Sequence, residues 1–178
     1  GFTVHRVHPA SGKYSKWKMA SEPSALALAE DGLLVATRTG FVHLNTTTGR
    51  ITGLTASPFD TTTTRFNDGR VDPLGRFWVG TLFEPRTAPA AEMYVLECGK
   101  LRRAWAGGMT NSNGLAFSPD GKIMYHADTA SHRIDRYDFD LAHGKVGERI
   151  PFQVFPHDKN APGYGGRPDG AAVDSEGA

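Results

Sequence analysis

Four oxygen-bearing side chains recur at one position of a repeated segment in this chain. Asn67, Asn113 and Asp169 each precede a turn glycine by eight residues, and Ser24 holds the same position in a weaker copy. Amide and carboxylate oxygens are the ligands that hard cations such as Ca²⁺ and Mg²⁺ prefer, and a carboxylate can also accept a proton from water. The pattern therefore predicts a site capable of metal binding and of acid–base chemistry.

The turn glycines of this repeat set its period, since they recur after 43, 46 and 56 residues. A period of about 40–50 residues is typical of β-propeller blades and of other repeat arrays. Equivalent positions of successive blades face one central axis. We therefore expect Asn67, Asn113 and Asp169 to meet, although 102 residues separate the first from the last.

Short β-rich runs separated by Gly, Pro, Asn and Asp fill the chain, and no segment has the pattern of a helix. After the polar site, each repeat continues with a first strand, a turn and then its most apolar strand, as in Leu33–Thr37, Phe77–Thr81 and Ile123–Ala127. Two further strands complete a four-stranded antiparallel meander. Ala171–Val173 is expected to form the first strand of another unit. The sequence therefore predicts an all-β fold.

Two segments interrupt this regularity, Glu84–Glu92, which is rich in Pro, and Pro156–Pro168, which is rich in Pro and Gly. Long ordered loops on a rigid scaffold commonly carry substrate contacts. An ordinary surface insertion explains each of them equally well.

The composition is that of a globular protein. The 178 residues suffice for one core, and 39% of them are hydrophobic and 22% charged. A net charge of +1 with scattered basic residues argues against nucleic-acid binding, and no apolar run approaches the roughly 18–20 residues that span a bilayer. The single cysteine excludes an internal disulfide framework and a Cys-based zinc cluster. This is compatible with the cytoplasm and leaves the periplasm open.

Three ordered segments resemble the signatures of a known family. They are Arg65–Thr81, which begins Arg-Phe-Asn-Asp-Gly, then Ser112–Ser118 with Tyr125–Thr129, and finally Arg167–Gly170. In this order and at these separations they resemble the senescence marker protein/gluconolactonase/luciferin-regenerating-enzyme family. The resemblance covers almost the whole chain.

This resemblance implies a β-propeller of the six-bladed type, represented here by about four blades. Residues 1–178 would form a single partial propeller domain with the end of one blade, three full repeats and the start of another. It also implies one divalent metal at the top of the central channel, with Ca²⁺ favoured and Zn²⁺, Mn²⁺ or Mg²⁺ left open. The implied function is metal-dependent hydrolysis of sugar-acid lactones, which are small-molecule substrates.

The motifs assign roles to individual residues. Asn113 matches a metal-binding Asn, and Asp169 matches the Asp that binds the metal and serves as general base. Arg65 and Asn67 match substrate-binding residues, and Glu84 lies near the position of a substrate-facing carboxylate. In such an enzyme the metal would polarise the lactone carbonyl while Asp169 takes the proton of the attacking water.

Departures from the family pattern leave alternatives open. The Gly-Glu-(Gly/Ser)-Pro segment that supplies a Glu ligand in the family has no counterpart here. We therefore expect an internal portion of a longer propeller, whose open strand edges invite self-association. The alternative functions are a non-catalytic propeller fragment and a protein-interaction propeller. For single residues, Asn-Gly and Asp-Gly also form turns, and Arg65 could instead form an ion pair with a neighbouring acid such as Asp68 or Asp72.

Overall fold

The computed structural model describes all residues, Gly1–Ala178. Its strands in chain order are β1 (Thr3–Val7), β2 (Tyr14–Lys18), β3 (Pro23–Ala29), β4 (Gly32–Thr37), β5 (Gly40–Asn45), β6 (Ile51–Ala56), β7 (Thr64–Val71), β8 (Phe77–Phe83), β9 (Glu92–Glu97), β10 (Lys100–Ala106), β11 (Ser112–Phe117), β12 (Ile123–Asp128), β13 (Arg133–Asp140) and β14 (Lys145–Val154). A short 3-10 turn, Thr129–Ser131, links β12 to β13. The prediction of an all-β chain is confirmed, and no helix of the chain is long and apolar enough to cross a membrane.

Strands that follow one another in the chain pair side by side. β1 and β2 form a two-stranded sheet, and β3–β6, β7–β10 and β11–β14 form three four-stranded antiparallel sheets without crossovers. The first strands of these sheets, β3, β7 and β11, are neighbours in space. The predicted four-stranded meanders are confirmed. The number of blades and the closure of a ring stay predictions.

Stacking of one sheet on the next explains why the second strand of each meander is so apolar. Side chains alternate between the two faces of a strand. In β8, Phe77 and Val79 therefore join a buried cluster with Phe41 of the preceding sheet. Trp78 points the other way and packs in a cluster with Met124 of the following sheet. Because both faces are covered, an uninterrupted hydrophobic run is what β8 requires.

The segment after β14 follows the edge of β11 without forming a strand. The guanidinium of Arg70 on β7 donates to the carbonyl of Leu115 at 3.2 Å and to the carbonyl of Ala171. The strand predicted at Ala171–Val173 is nevertheless wrong, because no other segment of the described chain forms a ladder with these residues.

Candidate functional site

One cavity of about 420 Å³ is lined by all the oxygen-bearing side chains at the recurring position of the repeat. Ser24, Asn67, Asn113 and Asp169 all contribute to its lining. The other lining residues are Arg65, Asp68, Leu82, Arg86, Asn111 and Gly170. The expected meeting of Asn67, Asn113 and Asp169 in one place is therefore confirmed.

An irregularity in each first strand lies at the recurring position. The register shifts between Pro23 and Ala25 in β3, between Phe66 and Gly69 in β7, and after Asn113 in β11. Bulges of this kind re-aim a side chain and are over-represented next to active sites. The Asn113-Gly114 dipeptide thus lies within β11, so the alternative that it forms a turn is wrong.

Gly114 is required at this bulge for two reasons. Its φ of +52° is in the left-handed region that favours glycine. A Cβ at this position would also come within 2.8 Å of the Asp169 carbonyl oxygen. Glycine therefore lets the segment that carries Asp169 approach Asn113.

The amide of Asn67 joins the first strands of two sheets. The two N–H groups on its Nδ2 are shared among three acceptors, the backbone carbonyl of Ser112 at 2.8 Å, Asn113 Oδ1 at 3.0 Å and Asn111 Oδ1 at 3.1 Å. Its Oδ1 accepts from Arg65 Nη1 at 2.9 Å. Asn67 therefore fixes the orientation of its neighbours, in addition to the substrate contact predicted for it.

Thr129 connects Asn113 to the segment that carries Asp169. Asn113 is 5% exposed, and its Nδ2 donates to Thr129 Oγ1 at 2.6 Å. The same hydroxyl donates to the carbonyl of Pro168 at 2.8 Å. This bridge leaves Asn113 Oδ1 on the side of Asn67 and the cavity. Thr129 belongs to one of the family-like segments, but its linking role was not predicted.

Arg65 and Glu84 belong to an ionic network at one side of the cavity. Arg65 Nε lies 3.4 Å from Glu84 Oε1. Arg38 donates to both carboxylate oxygens of Glu84, at 2.9 and 2.8 Å, and to Glu22 at 2.5 Å. The hydrogen bonds from Arg38 lower the pKa of Glu84. Glu84 is thus an ionised partner of Arg65 just outside the cavity lining, and its substrate contact stays a prediction.

The acids that sequence reasoning paired with Arg65 are engaged elsewhere. Asp72 accepts from Arg76 Nε at 2.6 Å and from Trp78 Nε1 at 2.9 Å, and its side chain is fully buried. Asp68 accepts the backbone N–H groups of Gly69 and Leu115 at 2.9 and 3.2 Å. Arg65 does form an ion pair with an acid, as the alternative held, but the partner is Glu84 and not Asp68 or Asp72.

The lining suits a hard divalent cation. No group of three His, Cys, Asp or Glu side chains that could hold a metal occurs in the described chain. The cavity offers instead the carboxylate of Asp169 and the side-chain amides of Asn111 and Asn113. Carboxylate and amide oxygens are Ca²⁺-type ligands. Asn111 was not predicted, although its spacing of two from Asn113 puts both side chains on one face of an extended chain.

Comparison with known proteins gives a consistent picture. The family model described as "SMP-30/Gluconolactonase/LRE-like region" matches residues 1–178. A 6-deoxy-6-sulfogluconolactonase of Pseudomonas putida is 40% identical over 175 residues, which cover 98% of this chain and 58% of the relative. Regucalcin of Sus scrofa is 35% identical, again over 98% of this chain and 58% of the relative. A solved structure of regucalcin from Agrobacterium tumefaciens, described as a calcium-binding protein, superposes with a TM-score of 0.86 at 30% identity, covering 99% of this chain and 58% of the other. The chain thus spans somewhat more than half the length of these relatives.

Proposed function

This chain belongs to the SMP-30/gluconolactonase/LRE-like family, and on that premise we propose that the protein hydrolyses sugar-acid lactones with the help of a divalent metal ion. The observation that carries the proposal is the shared cavity, in which Asn113 and Asp169 stand beside Asn67 and Arg65. The Pseudomonas putida relative is named for a sulfonated gluconolactone, which makes such lactones the first substrates to test. A propeller that only binds other proteins would not need this convergent set.

We further propose that the three sheets are consecutive blades of a six-bladed propeller. Residues 1–178 would then hold the end of one blade in β1 and β2, three full repeats, and the start of another after Asp169. The adjacent first strands β3, β7 and β11 support this assignment. So does the superposition on the Agrobacterium tumefaciens protein.

In the proposed reaction, Asn113 and Asp169 would hold the cation, and Asn111 would be an additional oxygen donor. When bound, the metal supplies Lewis-acid polarisation of the lactone carbonyl. Asp169 accepts the proton of the attacking water. Ca²⁺ is favoured because the donors are hard oxygens, while Mg²⁺, Mn²⁺ and Zn²⁺ stay open.

The wall next to these oxygen donors would hold the substrate, since Asn67 Nδ2 lies 3.0 Å from Asn113 Oδ1. Arg65 donates from a planar fork of N–H groups, which suits sugar hydroxyls and carboxylates. Asn67 shares this wall through its hydrogen bond with Arg65 Nη1. Glu84 keeps the Arg65 side chain in place through its ion pair.

Substitution of Asp169 tests the proposal. Asp169→Asn keeps the shape of the side chain and removes the proton acceptor, so gluconolactone hydrolysis should fall by about 100-fold or more. Asp174→Asn is a matched control, because Asp174 lies exposed in the same segment and outside the cavity lining. Initial rates must be corrected for spontaneous opening of the lactone. Equal rates in wild type and Asp169→Asn would refute the role given to Asp169, and a wild-type rate no higher than the spontaneous one would favour a non-catalytic propeller.

A further inference from the structure

We propose that Arg86 selects lactones that carry an anionic group remote from the lactone carbonyl, such as a sulfonate or a phosphate. The inference rests on the proposed lactonase function and adds a specificity-determining residue to it. The lining of the cavity contains two arginines, Arg65 and Arg86.

These two arginines differ in how their charge is compensated. Arg65 has a carboxylate within reach, since its Nε lies 3.4 Å from Glu84. Arg86 takes part in none of the ion pairs of the chain. The carboxylate of Asp68 is already engaged by two backbone N–H groups, and that of Asp169 is assigned to the cation. Arg86 is therefore the cationic group of this cavity that has no protein anion to neutralise it.

The backbone holds Arg86 in place. Its N–H donates to the carbonyl of Phe83 at 3.1 Å, and the preceding Glu84 N–H donates to Thr63 at 2.9 Å. At the far end of the loop, the Ala91 N–H donates to Met109 at 2.9 Å. Arg86 itself has a φ of +55°, an uncommon conformation for a residue with a side chain, and such residues cluster at ligand-binding sites.

The layout of the cavity determines the orientation in which a substrate would bind. The oxygen donors Asn113 and Asp169 define the end at which the lactone carbonyl reacts. Arg65 lies near this end, because Asn67 binds both Arg65 and Asn113. Arg86 lies on the loop after β8, three residues beyond the end of that strand. A guanidinium binds planar and tetrahedral oxyanions through paired N–H donors, so Arg86 would engage a sulfonate or phosphate at the far carbon of the sugar. A neutral lactone would leave it in water at little cost.

The experiment compares paired substrates on paired variants. Hydrolysis of gluconolactone is measured beside that of its 6-sulfonate and 6-phosphate analogues, for wild type, Arg86→Gln and Arg86→Lys. Gln keeps an unbranched chain of similar length, so the backbone at this position bears the same strain. Arg50→Gln is the control, because Arg50 is exposed in a turn away from the cavity.

Arg86→Gln should lower kcat/KM for the anionic lactones by at least about tenfold, which corresponds to about 1.4 kcal/mol. The value for gluconolactone should change by less than about twofold, and Lys should recover part of the loss because it restores the charge. The loss should shrink as salt is added, since the site is exposed. The relative size of the loss for sulfonate and phosphate identifies the preferred anion.

Two outcomes would overturn the inference. One is an equal loss on neutral and anionic lactones, which would indicate a structural role for Arg86. The other is unchanged kinetics on all substrates. If wild type hydrolyses none of the lactones, the proposed function fails instead. Calorimetry then compares the binding of gluconate and of its 6-sulfonate analogue. Wild type should bind the 6-sulfonate more tightly than gluconate, and Arg86→Gln should show no such preference.

Discussion

At the scale of single residues, the Thr129 hydroxyl is the direct link between the two proposed metal ligands. It accepts from Asn113 Nδ2 and donates to the carbonyl of Pro168, next to Asp169. Thr129→Val keeps the shape and removes both hydrogen bonds, which leaves a buried amide unpaired at a cost of about 1–3 kcal/mol. We expect Ca²⁺ affinity, measured by calorimetry, to fall by about tenfold. Thr129→Ser should bind like wild type, and a Val variant with unchanged affinity would show that the bridge does not position the ligands.

Another residue-scale prediction concerns the buried histidine beside this site. Burial lowers the pKa of His126 to about 4, and its Nε2 lies 2.9 Å from the Ser112 hydroxyl. Because the ordinary pKa of a histidine is about 6.5, the unfolded chain takes up a proton first as the pH falls. Folding stability should therefore decline between about pH 6.5 and 4, with about 2 kcal/mol lost by pH 5.

Urea unfolding at pH 7 and pH 5 measures this decline. His126→Gln should be less stable at pH 7 and should lose less stability on acidification than wild type. His8→Gln removes an exposed histidine that pairs with no carboxylate and should keep the wild-type decline. The same pH dependence in His126→Gln and wild type would contradict the assignment.

Spacing alone was enough to place Asn67, Asn113 and Asp169 in one cavity, because a repeat with a constant period puts equivalent residues on one side of the structure. The partners of these residues were not predictable in the same way. Asn111 and Arg38 act through hydrogen bonds between different sheets. Thr129 joins β11 to the segment after β14. Only tertiary packing brings these atoms together. The ion pair of Arg65 shows the difference, since its partner is Glu84, directly after β8, and not the nearby Asp68.

At the scale of elements, the close approach of β8 and β11 depends on glycine at position 80, which has no side chain. A Cβ on Gly80 would come within 1.8 Å of Ser112 Oγ and 2.3 Å of Ser112 Cβ. Gly80→Ala should therefore force the two sheets apart and destabilise the protein by about 1–3 kcal/mol or more. Chemical unfolding of Gly80→Ala, Ser112→Gly and the double variant measures the coupling.

The double variant should recover much of the loss caused by Gly80→Ala, because it removes the atoms that collide. Gly53→Ala in β6 is the control, since a Cβ there meets nothing within 4 Å. It should leave stability unchanged or slightly increase it. A coupling energy near zero would show that the contact between Gly80 and Ser112 does not limit the packing of these sheets.

The three meanders were predictable because their signals are local. Turn residues, apolar second strands and short spacings specify antiparallel neighbours without reference to the rest of the chain. The strand expected at Ala171–Val173 fails for the opposite reason. Of its three residues only Val173 favours a strand, since alanine is depleted in strands. A strand also needs a partner, and in the described chain the contact of this segment with Arg70 does not form a ladder.

At the scale of the whole molecule, the proposed site joins parts of the chain that lie far apart in sequence. A cation between Asn113 and Asp169 would fasten the segment after β14 to the first strand of the preceding sheet. The ring of six blades, the self-association through exposed strand edges and the cytoplasmic setting stay predictions at this scale. The metal is the feature on which the catalytic account depends.

The rate of lactone hydrolysis as a function of metal concentration tests that account most directly. Protein stripped with a chelator and dialysed should hydrolyse gluconolactone no faster than buffer, and added Ca²⁺, Mg²⁺, Mn²⁺ or Zn²⁺ should restore a rate that saturates. Asp169→Asn should show no such recovery, whereas Asp174→Asn should follow wild type. Hydrolysis by the stripped protein at the full rate of the metal-loaded one, with both above the spontaneous rate, would contradict a metal-dependent lactonase.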